Sequence, residues 1–190
     1  MGSKEHSHLP RLAREAYQGL AVVHWVHTIA DRATGWLDEE FHHRFREILL
    51  HAAARRQFLC PGFCLMPDHL HLVWMGASST TDLYLANRWF RREINHLLRT
   101  KDCRLQHQAY DRVLRPQERR RHAFESLVAY VLENPIRSGI PTHSTYTGMI
   151  LPGYPRLRHS LLDHPDDWDP FWKIYEQEVS RSHACKSVDG

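Results

Sequence analysis

No apolar run in the 190-residue sequence approaches the roughly 18 residues that a membrane-spanning helix needs. The stretch Met1 to Ala13 is polar where a secretion signal would have an apolar centre, so the expected location is the cytoplasm, with no membrane partner. Cysteine is scarce. Cys60, Cys64, Cys103 and Cys185 are irregularly spaced, which is no disulfide framework, and a reducing compartment is expected to keep them as thiols. There is no G-x-x-x-x-G-K-[ST] loop to cradle ATP and no internal repeat. What remains is a chain that is 42% hydrophobic and 25% charged with six Trp, a composition that builds one ordinary folded domain rather than a disordered chain.

The net charge of +3 conceals an asymmetry. From Arg88 to Arg121 there are eleven Lys and Arg against four Asp and Glu, a local +7 that leaves the remainder at −4. Clustered cations gain most from releasing the counterions of a polyanion, so this segment points to a nucleic acid; a solvated helical surface is the other reading.

Periodicity supplies the elements. Leu20 to Ile29 is β-branched and aromatic enough for a strand, and Phe41, Phe45, Ile48, Leu49 and Ala52 predict an amphipathic helix within Trp36 to Arg55. Phe58 to Met66 and His69 to Met75 flank the turn pair Pro67-Asp68 as a hairpin. A helix over Thr81 to Leu98, an extended piece over Ala109 to Leu114 and a helix beginning at Pro116 and ending at Asn134-Pro135 follow. This order predicts an α+β fold, a ferredoxin-like (split βαβ) antiparallel sheet with helices on one face. Asp166 to Glu178 reads as a capped C-terminal helix docking its aromatics. The expected organisation is a polar segment over 1–18, a main folded domain over 19–140 and a C-terminal helical extension over 141–190.

Side chains alternate along a strand, so His69 and His71 point to one side. They suit either two ligands to a divalent ion or two histidines at the edge of a core. With 16 His in the chain, one such triplet arises about once by chance. Cys60 and Cys64, read as sharing one face of their strand, add structural zinc as a further alternative. In the third helix Phe124, Leu127, Val128 and Val131 define a buried stripe, with Tyr130 and Asn134 four residues apart at its edge. There Tyr130 either packs its ring at the core margin or joins Asn134 in addressing one site.

Cys64-Leu-Met-Pro-Asp-His-Leu-His-Leu-Val-Trp74 resembles the signature of the single-tyrosine transposases of the HUH class, especially the REP-associated tyrosine transposases. Tyr130-Val-Leu-Glu-Asn-Pro-Ile-Arg-Ser-Gly139 is similar to that family's second signature, and Ala109-Tyr-Asp-Arg-Val-Leu-Arg115 to the segment between the two. The resemblance implies a single-strand DNA nicking and joining enzyme with Tyr130 as nucleophile, acting on single-stranded or hairpin DNA as a monomer or homodimer. It also implies metal ligands at His69, His71 and Asn134, where insertion-sequence relatives usually have Gln. Such oxygen and nitrogen ligation suits Mg²⁺ or Mn²⁺. Arg88, Arg91, Arg92, Arg112, Arg115, Arg119, Arg120, Arg121 and Arg137 are the expected DNA contacts, with Arg112, Arg115 and Arg119 to Arg121 nearest the tyrosine helix in sequence. A catalytically silent DNA- or RNA-binding protein on the same fold is the alternative.

Overall fold

The structure is a computed structural model that describes residues 12–141, 146–155 and 168–186. Its strands are β1 (Val22–Thr28), β2 (Phe58–Met66), β3 (His69–Gly76), β4 (Tyr110–Val113) and β5 (Tyr146–Ile150). Its helices are α1 (Glu39–Arg56), α2 (Leu83–Leu98), α3 (Arg121–Arg137) and α4 (Asp169–Lys186). Local chemistry sets several boundaries. The Asp38 carboxylate accepts from the Phe41 amide at 2.8 Å to start α1, which Gln57 stops in a left-handed conformation. Asp82 accepts from the Leu85 amide at 2.8 Å to start α2.

The strands form one sheet in the order β4-β1-β3-β2-β5 with every neighbouring pair antiparallel. Thus β3 lies between β1 and β2, the two strands that α1 connects. The fifth strand is an addition to the sequence reading, which placed only a helix beyond residue 140. It pairs with β2 from Cys60↔Ile150 to Leu65↔Tyr146.

The expectation that the helices of the sheet domain share one face holds for α1 and α2 and fails for α3, which covers the other face together with the C-terminal α4. On the first face Trp25, Phe63, Leu70, Leu72 and Trp74 meet Phe41, Phe45 and Leu49 of α1 and Phe90 and Ile94 of α2. On the second, Val22, Cys64, Val73 and Met75 meet Phe124, Val128 and Val131 of α3 and Phe171 and Trp172 of α4. Side chains alternate on β1 and β3, and both sets are apolar over much of their length, so each face needs a cover. The α4 aromatics dock as the sequence predicts: Phe124 stacks on Phe171 at 5.9 Å between centroids, and the Trp172 indole donates to Glu125 at 2.8 Å. Asp166 and Asp167, read as caps, lie outside the described residues.

Helix α3 does not end at Asn134-Pro135. Pro135 has no N–H to offer the Val131 carbonyl, but the Asn134 side-chain amide donates to that oxygen at 3.4 Å and to the Tyr130 carbonyl at 3.1 Å. The ladder is thereby patched, and the helix runs on to Arg137. A second correction concerns β2, whose register slips between Leu59 and Gly62. That irregularity puts Cys60 on the first face and Cys64 on the second, so the four-ligand zinc arrangement is lost.

Candidate active site

The hairpin β2–β3 delivers His69 and His71 to the second sheet face, the one that α3 covers. Their Nε2 atoms face each other at 3.0 Å. Each ring is anchored at its other nitrogen. His69 Nδ1 meets Asp68 Oδ1 at 2.5 Å, and Asp68 Oδ2 accepts from Arg32 at 2.7 Å. His71 Nδ1 meets Nε2 of His24 on β1 at 3.1 Å. His24 reaches it diagonally, because β1 and β3 pair with His24 opposite Val73 and Val26 opposite His71.

Burial keeps His24 and His71 short of protons. Burial, with Arg112 across the β1–β4 ladder, lowers the pKa of His24 to about 4. Burial, then the neighbouring His24 and His69, lowers that of His71 to about 3. Burial acts to raise the Asp68 carboxyl, but hydrogen bonds from His69 and Arg32 outweigh it and hold it below its ordinary value. At neutral pH His24 and His71 are therefore uncharged beside an ionised Asp68.

The donor set fits a divalent cation as a partial site. Two nitrogens each about 2.1 Å from one ion and at right angles to one another are about 3.0 Å apart, the octahedral spacing of Mg²⁺ or Mn²⁺ rather than the wider tetrahedral one. The same separation suits an N–H···N hydrogen bond. Among the described residues no three His, Cys, Asp or Glu side chains converge as a ready-made metal site. Neither thiol is a ready thiolate, since burial raises Cys60 and pushes Cys64 up to about 12.

Tyr130 and Asn134 lie on α3 over the same sheet face as the histidines. Tyr130 is 43% exposed, and the Arg137 guanidinium carbon sits 5.1 Å from its ring centroid. Asn134 has its amide nitrogen turned to its own helix, which leaves Oδ1 as the acceptor end. The predicted arginines divide. Arg112 stands on β4 opposite His24 and pairs with Glu118. Arg115 and Arg120 are exposed before α3, Arg119 donates to the Leu114 carbonyl at 2.9 Å, and Arg121 reaches Asp169 and Glu176 of α4 at 3.3 Å each. The α2 arginines lie across the sheet from the histidines. There Arg88 is exposed, Arg92 pairs with Glu93, and Arg91 holds His27 and the carbonyls of Gln106 and His107.

No protein-family model matches this chain, and no curated protein does. Among solved structures, a REP-associated tyrosine transposase bound to a REP hairpin superposes with a TM-score of 0.56 at 18% identity, over 71% of this chain and 76% of that one. This chain has a transposase-like fold. A bacterial tRNA(His) guanylyltransferase-like protein in complex with GTP aligns over 87% of this chain and 94% of that one, at 12% identity and a TM-score of 0.47.

Sequence reasoning missed His24 and read Asp68 only as a turn residue. Alternation puts His24 on the face of Val22 and Val26, but only the pairing of β1 with β3 brings it to His71. Asp68 is adjacent to His69 in sequence, so that contact had a local signal. Its acceptor-only carboxylate beside a candidate ligand is the usual anchor for a metal-bound imidazole.

Proposed function

We propose that the protein is a transposase-like enzyme that nicks and rejoins single-stranded or hairpin DNA through Tyr130, assisted by Mg²⁺ or Mn²⁺ at His69 and His71. The observation that carries this reading is the facing pair of Nε2 atoms, each ring anchored from behind, on the sheet face covered by the helix that bears Tyr130. The two sequence signatures and the fold shared with the hairpin-bound transposase support it.

The Tyr130 hydroxyl gives up its proton to solvent and forms a bond from Oη to phosphorus, while the bond from phosphorus to the 3′ oxygen of the neighbouring nucleotide breaks and that oxygen takes up a proton. The phosphotyrosine diester keeps the energy of the linkage, so a second 3′ hydroxyl reverses the step and joins a strand without nucleotide fuel. A divalent ion, when bound, polarises a non-bridging oxygen of the phosphate. His69 and His71 would hold that ion, and the Asn134 carbonyl is the third protein ligand we assign. Arg112 approaches the phosphate from β4, and Arg137 lies over the Tyr130 ring.

The test is a denaturing gel with labelled single-stranded hairpin DNA from the flanks of the gene and Mn²⁺. The wild type is expected to form a covalent adduct and Tyr130→Phe none. An adduct with Tyr130→Phe puts the nucleophile elsewhere, and DNA binding without any wild-type adduct makes the protein a silent binder.

A further inference from the structure

His24 is a buried polar side chain, 8% exposed, that the strand-transfer reading leaves without a task. Its ring stacks on that of His71 at 5.3 Å and 20°, with Nε2 3.1 Å from His71 Nδ1. A neutral imidazole has one N–H and one lone pair, so every contact in this cluster fixes the next. The Asp68 carboxylate only accepts, so in the neutral ring of His69 the hydrogen sits on Nδ1 and the lone pair on Nε2.

With all three rings neutral, two proton arrangements are open to the remaining contacts. In the first, His71 donates from Nε2 to His69 and accepts at Nδ1 from Nε2–H of His24. In the second, His71 donates from Nδ1 to His24 and presents a lone pair at Nε2. Two lone pairs would then face each other across 3.0 Å, which is repulsive unless a cation lies between them. The first arrangement belongs to the cation-free protein and the second to the loaded one.

Resting on the metal reading above, we propose that His24 is a positioning residue that both donates to and accepts from His71, so that the two rings exchange tautomers together when a divalent cation enters. The hydrogen of His71 moves from Nε2 to Nδ1 and that of His24 from Nε2 to Nδ1, each through exchange with water. The count of bound protons is unchanged. A leucine at position 24 gives the Nδ1–H of the loaded His71 no acceptor, whereas a glutamine amide, by turning over, serves in both states.

The experiment measures Mn²⁺ affinity of the full chain by electron paramagnetic resonance, and ring-nitrogen tautomers by ¹⁵N NMR with and without Mg²⁺. His24→Leu is expected to weaken Mn²⁺ binding about 10- to 100-fold, the usual effect of losing a partner behind a metal ligand. His24→Gln should stay within about threefold of wild type, and Mg²⁺ should move the His71 hydrogen from Nε2 to Nδ1. Wild-type affinity in folded His24→Leu, or a His71 that already carries its hydrogen on Nδ1 without Mg²⁺, overturns the role of His24 while sparing the metal reading, whereas a hydrogen that stays on Nε2 with Mg²⁺ removes His71 as a ligand. Failure of the wild type to bind Mn²⁺ removes both.

Discussion

Gly62 sets how closely α3 lies on β2, and giving it one methyl group tests both the packing and the site. A Cβ at this position would sit 2.8 Å from Val128 Cγ1 and 3.7 Å from Leu132 Cγ. Apolar carbons rest at about 3.5 to 4.0 Å, so α3 must withdraw by about 1 Å locally. Val128 cannot turn its methyl away, because a β-branched side chain in a helix has essentially one rotamer. Overpacking of this kind costs about 1 to 3 kcal/mol, and the reduced freedom of the unfolded chain offsets about 0.4 to 1 of it. Gly62→Ala is therefore expected to lose about 1 to 2 kcal/mol, or roughly 2 to 8 °C in Tm for a chain of this size. The measurement is urea unfolding followed by tryptophan fluorescence, on Gly62→Ala, Val128→Ala and the double variant. Removing the Val128 methyls makes room for the new one, so the double variant should be more stable than the two single losses predict by about 1 kcal/mol or more. Additivity within about 0.5 kcal/mol would refute the close approach. Tyr130 lies two residues beyond Val128, so adduct formation should fall in the folded single variant and recover in part in the double.

Phe171→Ala should cost about 3 to 5 kcal/mol in the same unfolding assay, because the ring is fully buried against Phe124. Burial, then Arg46 and His43, lowers His42 to about 4, and its Nε2 has no hydrogen-bond partner among the described residues. Between pH 6.5 and 4 the unfolded chain thus binds the proton that folded His42 refuses. This contribution is intact above pH 6.5 and lost as the pH falls, and a His42→Phe variant should show a shallower acid decline; an equally steep decline would clear His42. Arg112→Gln should weaken binding to single strands of unrelated sequence alike and reduce the slope of log affinity against log salt by about 0.7, as titrations at several salt concentrations would show. Loss confined to one sequence would mean that Arg112 reads bases.

What could be read in advance follows from the range of each signal. α1 and α2 were legible as helices and the β2–β3 hairpin as two apolar runs flanking a turn pair, and the hairpin's two histidines fall where alternation puts them. β5 has no such signature: Tyr146–Ile150 includes Gly148, a residue that strands disfavour. It is tolerated because Arg46 and Phe63 occupy the space a side chain would need. The stripe on α3 was legible, but a period of 3.6 does not say which sheet face it meets. The proline rule stopped α3 too early because the compensating donor is a neighbouring side chain. Cys60 and Cys64 have the same parity in sequence and opposite faces in space, owing to an irregularity that shifts register in mid-strand. At the site, spacing within one strand found His69 and His71, whereas His24 belongs to it through a pairing between strands 47 residues apart.

The seat of α4 on α3 also imposes a schedule on synthesis. Everything that the first sheet face needs from helices is present once α2 has been made, so that side can condense early while translation continues, as domains that begin folding on the ribosome do. The second side waits. Phe124 finds Phe171 and Trp172 only after some fifty further residues have emerged, and the partners of Arg121 flank them in the same helix, Asp169 just before and Glu176 just after. The helix bearing Tyr130 is thus the last major piece to be clamped, and a ribosome-bound chain holds its histidines before it can hold a tyrosine steadily above them. On the proposed function, a DNA-cutting activity built in this order would be withheld from unfinished copies of itself.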